Sequence, residues 1–273
     1  MKRFAILIGL VAILLGIMVT VSHDSAAAEQ QVASREFYLV YSDNYDDGGG
    51  ADLFITSYNS TYGTVKIPGI DFEHNFTVMA DTITTVSLPL AAEVQGSDQI
   101  DDLGIYISAN DDITAYLLNP GNPVYTNDAY VGLPVASLDT EYIVMAWPDT
   151  LPARAPNENG QSELAVVSPF NDVAVTITPS ITTGSRTAGV AYTIKLNQFQ
   201  TYTLQSDNAF EDLTGTVIKS SKPVAVFAGN RCADIPVGYG YCDHLIEQLT
   251  PTSAWGDNFV TMPLAARANG DYI

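Results

Sequence analysis

Beyond residue 30 the chain is written in short runs of β-branched and aromatic residues separated by Gly, Pro, Asn and Asp. Runs at 37–41, 52–57, 63–67, 76–79, 84–88, 104–108 and 113–118 each read as a strand bounded by turn residues. Later in the chain 216–218 and 224–227 read as two strands joined by a tight turn at Ser220-Ser221-Lys222-Pro223, with Pro223 opening the second strand, where a missing N–H costs little. A helical period is nowhere sustained. The one exception is 243–249, where Asp243 is placed to cap a single helical turn that Pro251 stops.

The pattern occurs twice. GIYISANDDITAYLLN (104–119) lies over GTVIKSSKPVAVFAGN (215–230) without a gap at an offset of 111 residues, and both end in Asn. The same offset sets LFITS (53–57) over LAVVS (164–168) and TVKIP (64–68) over VTITP (175–179). FTV (76–78) meets YTI (192–194) at 116, which implies an inserted loop around 182–189. Pro134 meets Pro251, and EYIVM (141–145) meets NFVTM (258–262), both at 117. Two copies of one unit of about 110 residues, each with about seven strands, suit tandem antiparallel β-sandwich-like repeats in an all-β fold. A β-propeller, with each copy giving two four-stranded blades, is the alternative. The boundaries expected are 29–150 for the first β-rich repeat and 151–262 for the second. The run Gly270-Asp271-Tyr272-Ile273 looks like a strand after a turn, so 263–273 reads as the start of a truncated third repeat and the chain as a fragment of something longer.

The copies differ after the matched Asn. The first has PGNPVYTNDAYVGL (120–133), without cysteine; the second has a longer loop over 231–250 that carries both cysteines of the chain, Cys232 and Cys242. In a secreted protein an even pair at this spacing is most simply a disulfide, with a loop-closure contribution of roughly 2.5 to 3 kcal/mol. A metal site from Cys232, Cys242 and His244 is the competing reading, without a fourth soft ligand or the usual C-x₂₋₄-C spacing. A lengthened, stapled loop on a β scaffold is a candidate recognition surface, against the plainer reading that the staple only stiffens it. Arg231, Tyr239, Tyr241 and His244 are its candidate contact residues, chosen for chemistry and expected exposure.

Residues 1–28 hold a basic start (Lys2, Arg3), an apolar run over 5–21 and Ala26-x-Ala28 before Glu29, the layout of a secretory signal peptide; an uncleaved anchor is the alternative. No second apolar run of that length follows, so after cleavage no membrane association is expected and the protein reads as secreted and extracellular. The net charge of −20, with no Lys/Arg cluster, excludes nucleic acid as a partner. A hydrophobic content of 47% is enough for a large core and rules out a disordered acidic tail. Asn59-Ser60-Thr61, in a turn, and Asn75-Phe76-Thr77, at a strand start, are N-glycosylation sequons if the host is a eukaryote.

Catalytic signatures are missing: no G-x-S-x-G, H-E-x-x-H, Walker loop or C-x-x-C occurs, and His74 and His244 are the only histidines beyond the leader. Acids at 43–52, 98–102 and 110–112 read as turn chemistry; the first group also resembles a loose calcium loop without the EF-hand order of ligands. No catalytic residue, metal or cofactor is assigned. Paired carboxylates acting on a polysaccharide remain the enzymatic alternative, because their spacing is spatial rather than sequential.

PVAVFAGN (223–230), Cys232, the Pro-Val-Gly run at 236–238, CDHLIEQL (242–249), Pro251, Trp255-Gly256 and the Val-Thr-x-Pro-Leu-Ala run at 260–265 together resemble the N-terminal domain of the IgG Fc-binding protein family, found in secreted mucus-type and other extracellular proteins. The resemblance implies a secreted binding or structural module that presents loops to an extracellular protein or glycoprotein, with immunoglobulin Fc or a mucin-like molecule as partner. It also implies a longer protein, since typical members continue past this point.

Overall fold

The structure, a computed structural model, describes residues 33–45, 49–121, 126–150, 160–237 and 241–260. The expected signal peptide, Tyr239 and the expected third repeat at 263–273 lie outside the described residues.

Fifteen strands and four single 3₁₀ turns make up the described fold, which is all-β with two sandwich-like units. The first unit holds β1 (Ser34–Leu39), β2 (Ala51–Thr56), β3 (Thr61–Ile67), β4 (Phe72–Val78), β5 (Ile83–Leu88), β7 (Ile105–Pro120) and β8 (Asn127–Val131). The second is formed by β9 (Asp139–Ile143), β10 (Ser162–Val167), β11 (Val173–Thr178), β12 (Tyr192–Leu196), β13 (Thr201–Gln205), β14 (Val217–Ala233) and β15 (Asp243–Gln248), with the short β6 (Gln99–Asp101) added at the edge beside β13.

Each unit is organised by one long strand that serves both layers. The first half of β7 pairs with β3 and β1, and its second half pairs with β2 and β8. In the second unit β14 does the same, first with β11 and β9, then with β10 and β15. The orders β4-β3-β7-β2-β5 and β12-β11-β14-β10-β13 correspond strand for strand. The segments at 110–112 and 220–223, expected as turns, are therefore bulges inside continuous strands. Opposite β1 the register jumps from Ser108 to Ile113, and opposite β9 from Lys219 to Val224. A bulge bends a strand without ending it, which lets β7 and β14 pass from one layer to the other, and Pro223 sits where a ladder N–H is not required.

The register corrects the repeat in two places. Gly63 faces Ala109 and Val175 faces Ser220, so β3 and β11 are related by 112 residues, not 111; this puts buried Val65 over buried Ile177. Likewise His74 faces Val65 and Tyr192 faces Ile177, giving 118 for β4 and β12 in place of 116. The insertion around 182–189 folds back through paired Thr183 and Arg186, and Arg186 makes a two-pronged contact with Asp98 at 2.9 and 2.7 Å while lying over the Tyr192 ring.

The expected helical turn at 243–249 is strand β15. Buried His244, Ile246 and Gln248 alternate with more exposed Asp243, Leu245 and Glu247, a period of two that polar residues at buried positions disguise.

One hydrophobic core lies inside each unit, and the second unit also closes the first. Leu164, Val166, Val224, Val226 and Ala228 face the second core, whereas the intervening Ala165, Val167, Ala225 and Phe227 belong to the first, where Phe227 meets Tyr130 edge-on at 5.3 Å. Burial of both faces explains the unbroken apolar runs LAVV and VAVFA, which an exposed sheet would interrupt with polar residues. The asparagines of both sequons are exposed: Asn59 lies in the β2–β3 turn, whereas Asn75 sits within β4 and not at its start. Among the described residues no helix is long and apolar enough to cross a membrane.

Candidate functional site

The stapled loop grows out of the end of β14. After Asn230 the strand runs on through Arg231 and Cys232 to Ala233, and the chain returns as β15 with Ala233 opposite Asp243. Cys232 and Cys242 are joined by a disulfide with a Cα–Cα separation of 5.0 Å. Since the two sulfurs are bonded to each other, the competing metal reading has no thiolates to use. Among the described residues no group of three or more His, Cys, Asp or Glu gathers as a metal site.

Beneath the loop is a buried polar cluster. The Arg231 guanidinium donates from Nη1 to Gln161 Oε1 at 2.8 Å and from Nη2 to the Asn44 carbonyl at 3.1 Å. Its Nε stands 3.1 Å from Asp43 Oδ1, within ion-pair range but outside hydrogen-bond geometry, and the two side chains are only 13% and 9% exposed. Gln205 Nε2 donates to Asp43 Oδ2 at 2.9 Å and reaches Glu163 Oε2 at 3.3 Å. Burial raises the Asp43 carboxyl above its ordinary range, against the pull of Arg231 and Gln205. Glu163 is pushed up much further, first by burial and then by the Asp43 charge.

His244 lies beside this cluster, fully buried. Asn119 Nδ2 is 3.1 Å from its Nε2, and its main-chain N–H donates to Thr126 Oγ1 at 2.8 Å. Burial lowers its pKa to about 4, so the ring is neutral at physiological pH.

The hairpin is also held against the first unit. Asn127 N donates to Asp243 Oδ1 at 2.6 Å, Ile246 N to Asp128 Oδ2 at 2.9 Å, and Leu133 N to Gln248 Oε1 at 2.7 Å. Strands β8 and β15 are the outer strands of their layers, and each lends side-chain acceptors to the other's unpaired N–H groups, so neither edge is left open.

Of the four candidate contact residues, Arg231 and His244 are thus interior, contrary to the exposure expected of them: the second unit folds them against Asp43 and Asn119 of the first. Tyr241 is 87% exposed, and Val237 of the same loop, which the sequence did not single out, is 60% exposed. Asp43, Asn44 and Glu163 were also missed. The acids at 43–52 read as turn residues, and the one signal to the contrary was Glu163 standing beside the apolar run of β10. Residues 46–48 of that acidic group lie outside the described residues.

A family model described as IgGFc binding protein matches residues 128–273, a span that begins in β8 and takes in β9 to β15 and the stapled loop. The chain belongs to this family. The human (Homo sapiens) protein named IgGFc-binding protein is 29% identical over 243 residues, 87% of this chain and 4% of its own length. The chain therefore spans a small fraction of that relative. The family is one of binding proteins, not enzymes. No solved structure matches the chain.

Proposed function

We propose that this member of the IgGFc-binding family is a secreted extracellular module that presents the stapled loop to a protein or glycoprotein. The observation that carries the reading is Tyr241: a large aromatic side chain, 87% exposed, directly beside Cys242 at the stapled base of the loop, which Arg231 also anchors. An aromatic group on a rigid support offers contact area at low entropic cost. The insertion is specific to the second copy, as a loop added for recognition would be. Immunoglobulin Fc is the partner suggested by the name of the human relative, and a mucin-like glycoprotein is the other candidate.

Binding of the purified chain to IgG Fc and to mucin-type glycoprotein, compared with Tyr241→Ala and with the Cys232→Ser, Cys242→Ser pair, tests the proposal. Tyr241→Ala should weaken binding by about tenfold or more without changing Tm. Equal binding by all three proteins would remove the loop from the contact surface. In a eukaryotic host the secreted product should begin at Glu29 and carry glycan at Asn59.

The enzymatic alternative requires two carboxylates facing a groove open to solvent. Asp81, Asp111 and Asp112 do line an open surface pocket beside Tyr58 and Tyr116, whereas Asp43 and Glu163 are both buried, with the Gln205 amide bonded to each. That arrangement supports a structural part for them.

A further inference from the structure

Strand β9 leaves the first unit to complete the second. It follows the single 3₁₀ turn Val135–Ser137, whose preceding residue Pro134 has φ −65° and ψ 154°, and then pairs with β14, facing Tyr142 toward Ile218. Tyr142 is fully buried in the second core and its hydroxyl donates to the Val224 carbonyl. In the first unit Phe37 of β1 faces Ile107, the counterpart of Ile218, and is buried in the same way. Each unit thus opens with a short strand that places an aromatic residue in its core.

The same exit occurs once more. The turn Thr252–Ala254 follows Pro251, with φ −63° and ψ 154°, and packs back on β9: Ser253 Oγ donates to Asp139 Oδ2 at 2.6 Å and Thr252 Oγ1 to the Glu141 carbonyl at 3.3 Å. The turn before β9 sits against β1 in the corresponding way, through the bridge between Phe37 and Pro134. Beyond Thr252–Ala254, the residues matching Glu141, Tyr142 and Ile143 are Asn258, Phe259 and Val260. None of the three is paired in a strand among the described residues, and Phe259 and Val260 are 78% and 93% exposed, with Trp255 half-exposed beside them.

We propose that Asn258–Val260 is the opening strand of a further unit of this same fold. It would pair antiparallel with that unit's long strand and carry Phe259 into its core, as β9 does with Tyr142. The occupant is a unit of the repeat and not a second copy of this chain, because the equivalent slots here are already filled by β1 and β9. On this reading the boundary between units falls at the exit from the 3₁₀ turn, near 138 and 255, and neighbouring units are joined by an exchanged strand and not by a free linker.

The test is a chain in which residues 144–273 follow directly after Val260, so that Asn258–Val260 stand where Glu141–Ile143 stand in the second unit. Amide hydrogen exchange at Phe259 and Val260 should slow by about 100-fold relative to the 273-residue protein. Phe259→Asp should abolish that protection and unfold only the added unit, while leaving the Tm of the 273-residue protein unchanged. A second extended chain, with Glu-Tyr-Ile at 258–260, is the folding control. The proposal is overturned if the added unit folds only in the control, if it folds with Phe259 and Val260 still exchanging freely, or if it folds in neither chain, since this end then cannot pass a strand onward.

Discussion

Asn119 and Asn230 hold the same place at the far ends of β7 and β14, and each ties its long strand to the segment that enters the next layer. Asn119 Nδ2 donates to the Ser42 carbonyl at 2.7 Å, between β1 and β2. Asn230 Nδ2 lies 2.7, 3.0 and 3.2 Å from the carbonyls of Gly160, Trp147 and Pro148, between β9 and β10, while its Oδ1 accepts from the Cys232 N–H at 2.7 Å. Both side chains are fully buried, so their own amide groups have no water to turn to. Asn230→Ala should therefore cost roughly 1–3 kcal/mol. Asn119→Ala should also be destabilising, by a smaller amount because it serves fewer carbonyls. Urea unfolding of the two variants beside the parent checks the order.

That pair of asparagines was visible in the sequence as the shared end of two aligned segments, and most of the β content was equally plain. What the sequence did not reveal has a common physical origin in burial on two sides. An alternating strand announces which face is inside, but β10 and β14 divide successive residues between two cores, so their runs show no period from which layers can be assigned. The Ser-Ser-Lys-Pro segment carries the composition of a turn, and only its partners β9 and β11 show it to be a bulge. His244 and Gln248 occupy buried positions of β15 as polar residues, which conceals a period of two and made a helical turn the better local guess. Arg231 failed for the same reason: its residue type favours solvent, and the buried carboxylate that draws it inside lies 188 residues earlier in the chain, at Asp43. The exposure of Tyr241 was legible.

The buried histidine gives the protein an acid-sensitive contribution to stability. With a folded-state pKa of about 4 against an ordinary 6.5, His244 binds fewer protons in the folded state between those values. Its contribution is fully present above pH 6.5 and is lost as pH falls through 4, by an amount on the order of 3 kcal/mol. Arg231 nearby opposes protonation further. Asp43 and Glu163 run the other way: their raised pKa values make the folded state the better proton binder, so their effect on stability worsens as pH rises above the ordinary carboxylate range. The unfolding free energy of His244→Gln should accordingly fall less than that of the parent between pH 7 and pH 4.5, and Glu163→Gln should decline less between pH 5 and pH 8. Denaturant titrations at these pH values measure both, and parallel profiles for His244→Gln and the parent would contradict the first.

Gly229 is required by the approach of β15. A Cβ built at this position runs into the Leu245 carbonyl oxygen, which belongs to the backbone of the neighbouring strand and has no rotamer with which to move aside. Gly229→Ala should push β15 outward, stretch its ladder with β14 and weaken the contacts between β15 and β8, at a cost of about 1–3 kcal/mol. Because the displaced strand carries Asp243 and Gln248, amide exchange at Asn127 and Leu133, whose N–H groups they accept, should accelerate in the variant. Unchanged exchange at those two amides would mean that β15 is not what holds them.

The staple itself should act mainly on the unfolded chain. Cys232 and Cys242 are separated by 10 residues, and closing a loop of that length removes roughly 2.5 to 3 kcal/mol of chain entropy from the denatured ensemble. In the folded state the base of the loop is fixed independently, by the β14–β15 ladder from Phe227 to Asn230 and by the Arg231 contacts with Asp43, Asn44 and Gln161. The Cys232→Ser, Cys242→Ser variant should therefore keep the far-ultraviolet circular dichroism of the parent while its urea midpoint falls by the equivalent of about 2 to 3 kcal/mol. The parent unfolded in the presence of reductant should give the same midpoint as the variant. A variant that loses strand signal before any denaturant is added would show instead that the disulfide holds the β14–β15 hairpin in place.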